Sequence, residues 1–465
     1  MFFKRLIVSF LARKTKKAVD AWSKKSIKNQ DKIFKKFIAT LAKTKYGKDI
    51  GAHKKMCLVD FQKKSPINSY EDLSPYIKRI SRGEKNVLWM GRPAYFAKTS
   101  GTTSGVKFIP LTIEMLKNQI NSSKEALLLY AFYQNKFDAI NGKMMFIQGS
   151  PILKKHGQIK TGRLSGIVAN HVPFFLQPNR LPSFETNSIG NWDKKLEGII
   201  NETVDCDLRL IGGIPPWVIM YFQKILKKTH KENVNTIFPN LSLYVHGGVN
   251  FKPYKNTLKS MVPNANFLEL YPASEGFFAY QDDINDDGLL LLTNHGVFYE
   301  FIESDNFLQG VFQRITLKDV VLGKNYVLII STCSGLWSYN IGDTVMFVNL
   351  NPYKIIITGR IKHYISAFGE HVISKEVETA LDMCLMKFGG EVFSFTVCPN
   401  INPENGLPHH DWFIEFIKKP ANFSSFCEYL DTSLRKQNIY YNDLVKNNII
   451  RPLVVNCVKV GSFNN

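Results

Sequence analysis

From the start of the chain to about position 47, apolar side chains recur every three or four positions and Gly47 stands near the end of the run, so this stretch reads as helical. A turn-rich segment with short helical pieces follows at 65–84, "SPINSYEDLSPYIKRISRGE", and then a polar loop, "KTSGTTSGVK", at 98–107. Thr112 is placed to cap a long helix that Glu114 and Met115 enter and that runs to about Gln134. The period then changes. "KMMFIQG" (143–149), "DLRLIGG" (207–213) and "LSLYVHGG" (241–248) are apolar runs of strand length. Helices alternate with them: Pro215 and Pro216 open one that reaches about Lys228, and another spans 251–261. "NFLELYPASEG" (266–276) is a strand that runs into a loop. This strand–helix–strand rhythm predicts an α/β domain with largely parallel pairing.

Between 288 and 359 the rhythm breaks into closely spaced strands, "GLLLLT", "VFYEFIE", "YVLIIST", "DTVMFV" and "KIIITG", which read as a β-rich subdomain closing the large unit. "GRIKHYISAFGEHV" (359–372) links it to a second pattern: helix (374–388), strand (391–398), strand (411–418), helix (422–436), helix (440–447) and strand (452–459). The expected fold class is α/β: a large N-terminal domain of mixed sheets with flanking helices over 1–358, a hinge at 359–365, and a small α+β C-terminal domain over 366–465.

Composition sharpens this little. With 465 residues, two or three domains are expected at roughly 100–200 residues each. Hydrophobic content of 45 % supplies a core and argues against disorder. The formal charge, 60 − 39 = +21, favours anionic partners, but the lysines are scattered. No zinc-finger spacing or aromatic RNA-binding motif occurs, so no nucleic acid is expected and a solvated lysine surface is the plain reading. Seven widely spaced cysteines without a CxxC point to a reducing, cytoplasmic setting rather than a disulfide framework. The opening "MFFKRLIVSFLARKTKKAVDAW" lacks a signal-peptide cleavage pattern and its apolar core is too short to span a bilayer. It reads as an amphipathic helix packed on the body, with rest on a membrane surface as the other option.

Four pieces carry candidate chemistry. In the loop at 98–107, glycines permit close backbone approach, hydroxyls and N–H groups can donate to phosphate oxygens, and Lys107 adds charge. It is not a Walker A motif, because Gly105 is followed by Val106 and only then by Lys107. Alone it is equally a plain turn. In "LYPASEG" (270–276), Tyr271 can stack on a base, and Ser274 and Glu275 follow at a strand's carboxyl end, where a carboxylate can share Mg²⁺ with phosphate. Asp343 in "SYNIGDTVMF" (338–347) can accept ribose hydroxyls, and Arg360 and Lys362 in "ITGRIKHY" (357–364) place cations at the domain junction. Each has a bland alternative: a solvated glutamate, a turn aspartate, a basic linker.

In this order, and followed by a small domain, the four pieces resemble the adenylate-forming superfamily of acyl-CoA synthetases and firefly luciferase. "SYEDLSPYIKRISRGE" followed by "FAKTSGTTSGVKFIPLT", with "LAKTKYGKDIG" upstream, is similar to the auxin-responsive Gretchen Hagen family of acyl-acid amido synthetases. The resemblance runs from about residue 35 to the end and is most specific over 65–112. It implies that Thr99, Ser100, Gly101, Thr102, Thr103, Ser104 and Gly105 hold the ATP phosphates, and that Gly247 and Gly248 line the adenine side. It further implies that Tyr271, Ser274 and Glu275 lie against adenine, phosphate and Mg²⁺, that Asp343 holds the ribose, and that Arg360 and Lys362 reach the nucleotide. Ser100, Thr103, Lys107, Glu275 and Lys362 become the candidate catalytic groups, with Glu275 the metal ligand. The implied enzyme is a monomeric carbon–nitrogen ligase that adenylates a carboxylic acid with ATP and Mg²⁺ and passes the acyl group to an amino acid, its small domain rotating between steps. An acyl-CoA ligase, or a catalytically impaired nucleotide-binding relative, is the alternative. Two departures bear on it. The family carries arginines before its Gly-Asp element in a Tyr-Arg-Tyr-Arg pattern, where this chain has Ser338 and Asn340. It also carries a late lysine in a Gln-aromatic-Lys-x-Pro-Arg pattern, whereas this chain closes on "GSFNN", so a shortened chain or a slow first step is expected.

Overall fold

A computed structural model describes residues 2–100, 106–137, 142–172, 174–248, 251–361, 372, 374–400, 403–446, 448, 450 and 451–464. Lys362 and the loop residues Gly101, Thr102, Thr103, Ser104 and Gly105 lie outside the described residues, as does part of the expected hinge. The helical opening resolves into α1 (Phe2–Ser23), α2 (Ser26–Leu41) and α3 (Lys45–Asp49), followed by α4 (Leu58–Lys64) and α5 (Tyr70–Ser81). Then come β1 (Tyr95–Ser100), β2 (Val106–Leu111), α6 (Ile113–Tyr133), β3 (Lys143–Phe146), β4 (Lys154–His156), β5 (Ile159–Gly162), α7 (Leu164–Ala169) and β6 (Arg180–Leu181). The next run is α8 (Phe184–Ser188), α9 (Trp192–Thr203), β7 (Leu208–Gly212), α10 (Pro215–Thr229), β8 (Leu243–His246), α11 (Lys252–Met261) and β9 (Asn266–Pro272). A strand-rich stretch holds β10 (Phe277–Gln281), β11 (Leu289–Leu291), β12 (Val297–Glu303), α12 (Ser304–Leu308), β13 (Ile315–Thr316), β14 (Asn325–Thr332), β15 (Tyr339–Leu350) and β16 (Tyr353–Arg360). Last are α13 (Ser374–Phe388), β17 (Glu391–Asn400), β18 (His409–Lys418), α14 (Phe423–Gln437), α15 (Ile439–Lys446) and β19 (Val454–Val458).

Local chemistry sets several boundaries. Ser69 and Asp72 cap α5 reciprocally, a capping box. The Thr112 hydroxyl accepts from the Met115 N–H and starts α6, and Pro215 opens α10, whose missing N–H costs nothing in the first turn.

Twelve strands form one sheet in the order β13-β12-β14-β15-β16-β11-β10-β9-β8-β7-β3-β6. Its β6-β3-β7-β8-β9 side is parallel. β8 is buried along its whole length, which is why such strands read as apolar runs rather than alternations. From β9 onward the pairs β9–β10, β10–β11, β11–β16, β12–β14 and β12–β13 are antiparallel. A second sheet, β2-β1-β5-β4, was not anticipated: its strands are short, and one of its pairings, Tyr95 with Lys160, joins distant segments. Because of it, Thr99 and Ser100 belong to β1 and Lys107 to β2, so both ends of the expected loop are paired strand rather than loop.

The chain divides into two compact units. One comprises Met1–Val249, Met261–Ile341 and Val345–Ile356; its main cluster unites Phe96, Ile109 and Met115 with Tyr271, Phe278 and Trp337. The other comprises Asn250–Ser260, Gly342–Thr344 and Ile357–Asn465, where β17-β18-β19 pack with α13, α14 and α15 around Trp412, Leu430 and Tyr441.

Candidate active site

The hairpin is positioned by the block that precedes it. Tyr70, the first residue of α5, accepts a hydrogen bond at its hydroxyl from the Phe108 N–H (3.0 Å), and the Lys107 ammonium lies 5.4 Å from the Tyr70 ring centroid. Burial pushes the Tyr70 phenol above its ordinary pKa, so it acts as a neutral acceptor. The register pairs Thr99 with Lys107 and Ser100 with Val106, closing the ladder where the glycine- and hydroxyl-rich tip begins. At the far end of β2, the Thr112 hydroxyl donates to the Cys333 carbonyl (3.0 Å), which ties the hairpin to the end of β14.

The second group sits at the carboxyl ends of β8 and β9, where the sheet switches from parallel to antiparallel pairing. Open α/β sheets bind ligands at such ends. A Cβ on Gly247 would come within 2.2 Å of the Leu270 carbonyl oxygen, and Gly248 holds φ at +82°, so only glycine suits this close crossing. The β9–β10 turn is closed by the Ala273 N–H donating to the Gly276 carbonyl (2.7 Å), with Ser274 and Glu275 half-buried between them. Gln119 of α6 donates to the Ala273 carbonyl (2.9 Å) and so fixes this turn; sequence reasoning did not single it out. Tyr271 is mostly covered, its ring edge-on to Phe278 at 5.1 Å.

In the other unit, Asp343 and Arg360 form an ion pair at 2.7 Å; the aspartate side chain is 13 % exposed and the arginine 54 %. The Thr344 and Thr358 hydroxyls are 2.8 Å apart beside them. The sequence singled out Asp343 and Arg360 separately, and the structure pairs them directly.

The departure at Ser338 has a physical account. Ser338 is fully buried with φ +43°, and its hydroxyl accepts from Arg314 (2.7 Å) and from Ser65 (3.1 Å). A guanidinium therefore does reach this point, from elsewhere in the chain. Arg314 also donates to the Gln62 and Ser65 carbonyls and faces Glu300 at 3.5 Å. Glu300 is completely buried and takes a hydrogen bond from Gln62 (2.9 Å); burial pushes its carboxyl up, against the pull of Arg314 and Gln62. The signal for this network was Glu300, an acid flanked on both sides by the apolar residues of "VFYEFI". The Asn340 N–H donates to the Asn68 carbonyl (2.9 Å), joining β15 to the segment before α5.

The glycine approach at β8 suits a phosphate-bearing ligand, and the carboxylate of Asp343 suits a polyhydroxyl one. Among the described residues, no group of three His, Cys, Asp or Glu side chains could hold a metal ion. A divalent cation here would depend on oxygens brought by the ligand.

Comparison with known proteins places this arrangement. The GH3 family N-terminal domain matches residues 15–191, its central domain 290–360 and its C-terminal domain 375–465. The jasmonoyl–L-amino acid synthetase JAR4 of Nicotiana attenuata is 23 % identical over 94 % of this chain and 87 % of its own. The indole-3-acetic acid-amido synthetase GH3.3 of Arabidopsis thaliana is 22 % identical over 93 % of this chain and 85 % of its own. Among solved structures, the AtGH3.15 acyl acid amido synthetase in complex with 2,4-DB superposes with a TM-score of 0.82 at 16 % identity, covering 97 % of this chain and 90 % of that one. A 2-hydroxyisobutyryl-CoA ligase in the postadenylation state gives 0.61 at 12 % identity over 94 % and 85 %.

Proposed function

Because the chain belongs to the GH3 family, we propose that it is an ATP-dependent acyl-acid amido synthetase, a ligase that forms carbon–nitrogen bonds through an acyl-adenylate. A carboxylate oxygen of the acid bonds to the α-phosphorus of ATP as the bond to pyrophosphate breaks. An amino acid amine then bonds to the acyl carbon, and AMP leaves with the electron pair of the acyl–oxygen bond. The observation that carries this reading is the β9–β10 turn, which holds Ser274 and Glu275 at the parallel–antiparallel switch and shares one apolar cluster with the β1–β2 hairpin.

The residue roles belong to the same proposal. Charge grows on phosphate oxygens in the first step. Fixed donors serve it best: Lys107, the hydroxyls of Ser100 and Thr103, and the N–H groups of Thr99 through Gly105. Glu275 is the protein ligand for Mg²⁺, which supplies the remaining positive charge at the phosphates. Tyr271, Gly247 and Gly248 border the adenine. Asp343 accepts the ribose hydroxyls and Arg360, already its partner, steadies it; Lys362 is the further cation. Residues 1–358 serve as the ATP- and acid-binding domain, 359–365 as a hinge and 366–465 as the small domain. The seven free cysteines suit a reducing, cytoplasmic setting, and a monomer is part of the same proposal.

An acid-by-amine screen that reads AMP and pyrophosphate release tests the assignment. AMP release with an acid and an amino acid, but not with coenzyme A, is the expected result. Release with coenzyme A alone overturns amide formation in favour of thioester formation.

A further inference from the structure

We propose that the outward face of α1 docks this protein on an anionic phospholipid surface. The helix is held to the body by one side only. Ala12 and Val19 are buried, with Leu128, Ala131 and Phe137 around the first and Ala126, Leu129 and Tyr130 around the second. That packing fixes the rotation of the helix. Lys16 is turned to the flank, paired with Asp20 and lying 5.6 Å from the Tyr133 ring centroid.

The opposite side is a single stripe at three- and four-residue spacing: Leu6, Ile7, Phe10, Arg13, Lys14 and Lys17. Leu6, Ile7 and Phe10 are 51 %, 46 % and 68 % exposed, and the three cations that continue the stripe are exposed as well. An apolar tip followed by a cationic band is the surface that an interfacial helix presents to headgroups and acyl chains. Among the described residues no helix is long and apolar enough to cross a membrane, so α1 would lie on the surface.

Charge decides between occupants. The phosphate backbone of a nucleic acid rewards Arg13, Lys14 and Lys17 but offers no apolar interior to Phe10. A second copy docking through the same face would set like charges against one another. A leaflet rich in anionic lipid satisfies both halves of the stripe, and the formal charge of +21 adds long-range attraction to it.

The test is sedimentation of the full chain with vesicles of phosphatidylserine and phosphatidylcholine, against pure phosphatidylcholine. Binding to the anionic vesicles is expected, and it should weaken with salt. Changing Arg13, Lys14 and Lys17 together to Gln should lower partitioning on the order of 100-fold. Changing Leu6, Ile7 and Phe10 together to Ser should lower it at least about tenfold. Both triple variants should keep the wild-type thermal midpoint and the wild-type rate of pyrophosphate exchange, because none of the six side chains is buried. Several results overturn the proposal: equal partitioning to both vesicle types, anionic binding untouched by either variant, or an RNA oligonucleotide bound more tightly than vesicles at the same salt. So does concentration-dependent dimerisation that the serine variant abolishes while vesicle binding is absent.

Discussion

Two buried lysines, one on a helix beside the parallel half of the large sheet and one within its antiparallel half, show how differently the halves are built. Lys195 of α9, beside the parallel half, is 3 % exposed and donates to two carbonyls, of Gln148 (2.9 Å) and Asn187 (3.0 Å). Lys354 of β16, in the antiparallel half, is 6 % exposed and is held by two carboxylates, Asp282 and Asp286, each at 2.7 Å. Burial, with Arg163 nearby, brings the Lys195 ammonium down to about 8. Burial also opposes the charge on Lys354, but its two aspartates outweigh it and raise the pKa. Arg314 and Glu300 repeat the second solution. The antiparallel half thus neutralises its buried ions with opposite charges, whereas the parallel half holds its buried lysine with carbonyl dipoles and ends its strands in turns and glycines. The difference teaches where to look for chemistry: at the ends of β8 and β9, not in the buried ion pairs of the antiparallel half.

The comparison can be broken in order of expected effect. Arg314→Met should cost roughly 3–5 kcal/mol of stability in a denaturant melt, since it strands a buried carboxylate. Glu300→Gln added to it should recover part of that loss, and no recovery would mean that Arg314 acts through its carbonyl contacts alone. Because the folded pKa of Glu300 is raised, its contribution is present at low pH and lost as pH rises through that value, so Arg314→Met should be least harmful in acid.

Glu275→Gln should leave the melt unchanged and slow pyrophosphate exchange on the order of 100-fold, matching removal of one group that stabilises transition-state charge. An unchanged rate would remove the turn from the site.

Lys195 gives a pH signature. Its folded pKa of about 8 lies below the free value of 10.5, so its contribution to stability grows as pH rises through that interval and is lost as pH falls through 8. Wild type should gain on the order of 2 kcal/mol over Lys195→Met between pH 8 and pH 10. A flat difference would contradict the burial argument. The smallest effect is expected at the hairpin tip. Ser100→Ala with Thr103→Ala should weaken ATP binding about tenfold without changing the melt, each hydroxyl contributing an ordinary hydrogen bond.

Much of this was legible in the sequence, for a physical reason. A strand covered on both faces must be largely apolar, so β8 stood out, and the small unit's elements fell close to their predicted limits. Thr112 and Pro215 marked helix starts because capping is a local act. The β2-β1-β5-β4 sheet was not legible, since its strands are short and the β1–β5 pairing that joins them is between distant segments. Nor was Gln119, whose role exists only once α6 crosses the β9–β10 turn. Of the proposed site residues, Glu275 and Asp343 were visible as acids after strands or glycines. The pairing of Asp343 with Arg360 and the covering of Tyr271 by Phe278 required the fold.

The most direct test of the central claim is exchange of labelled pyrophosphate into ATP, measured across a broad panel of carboxylic acids with the full chain. The account predicts label in ATP that requires an acid and Mg²⁺ and that falls on the order of 100-fold in Glu275→Gln. Exchange with no acid of the panel, under conditions where the folded protein binds ATP, would contradict it.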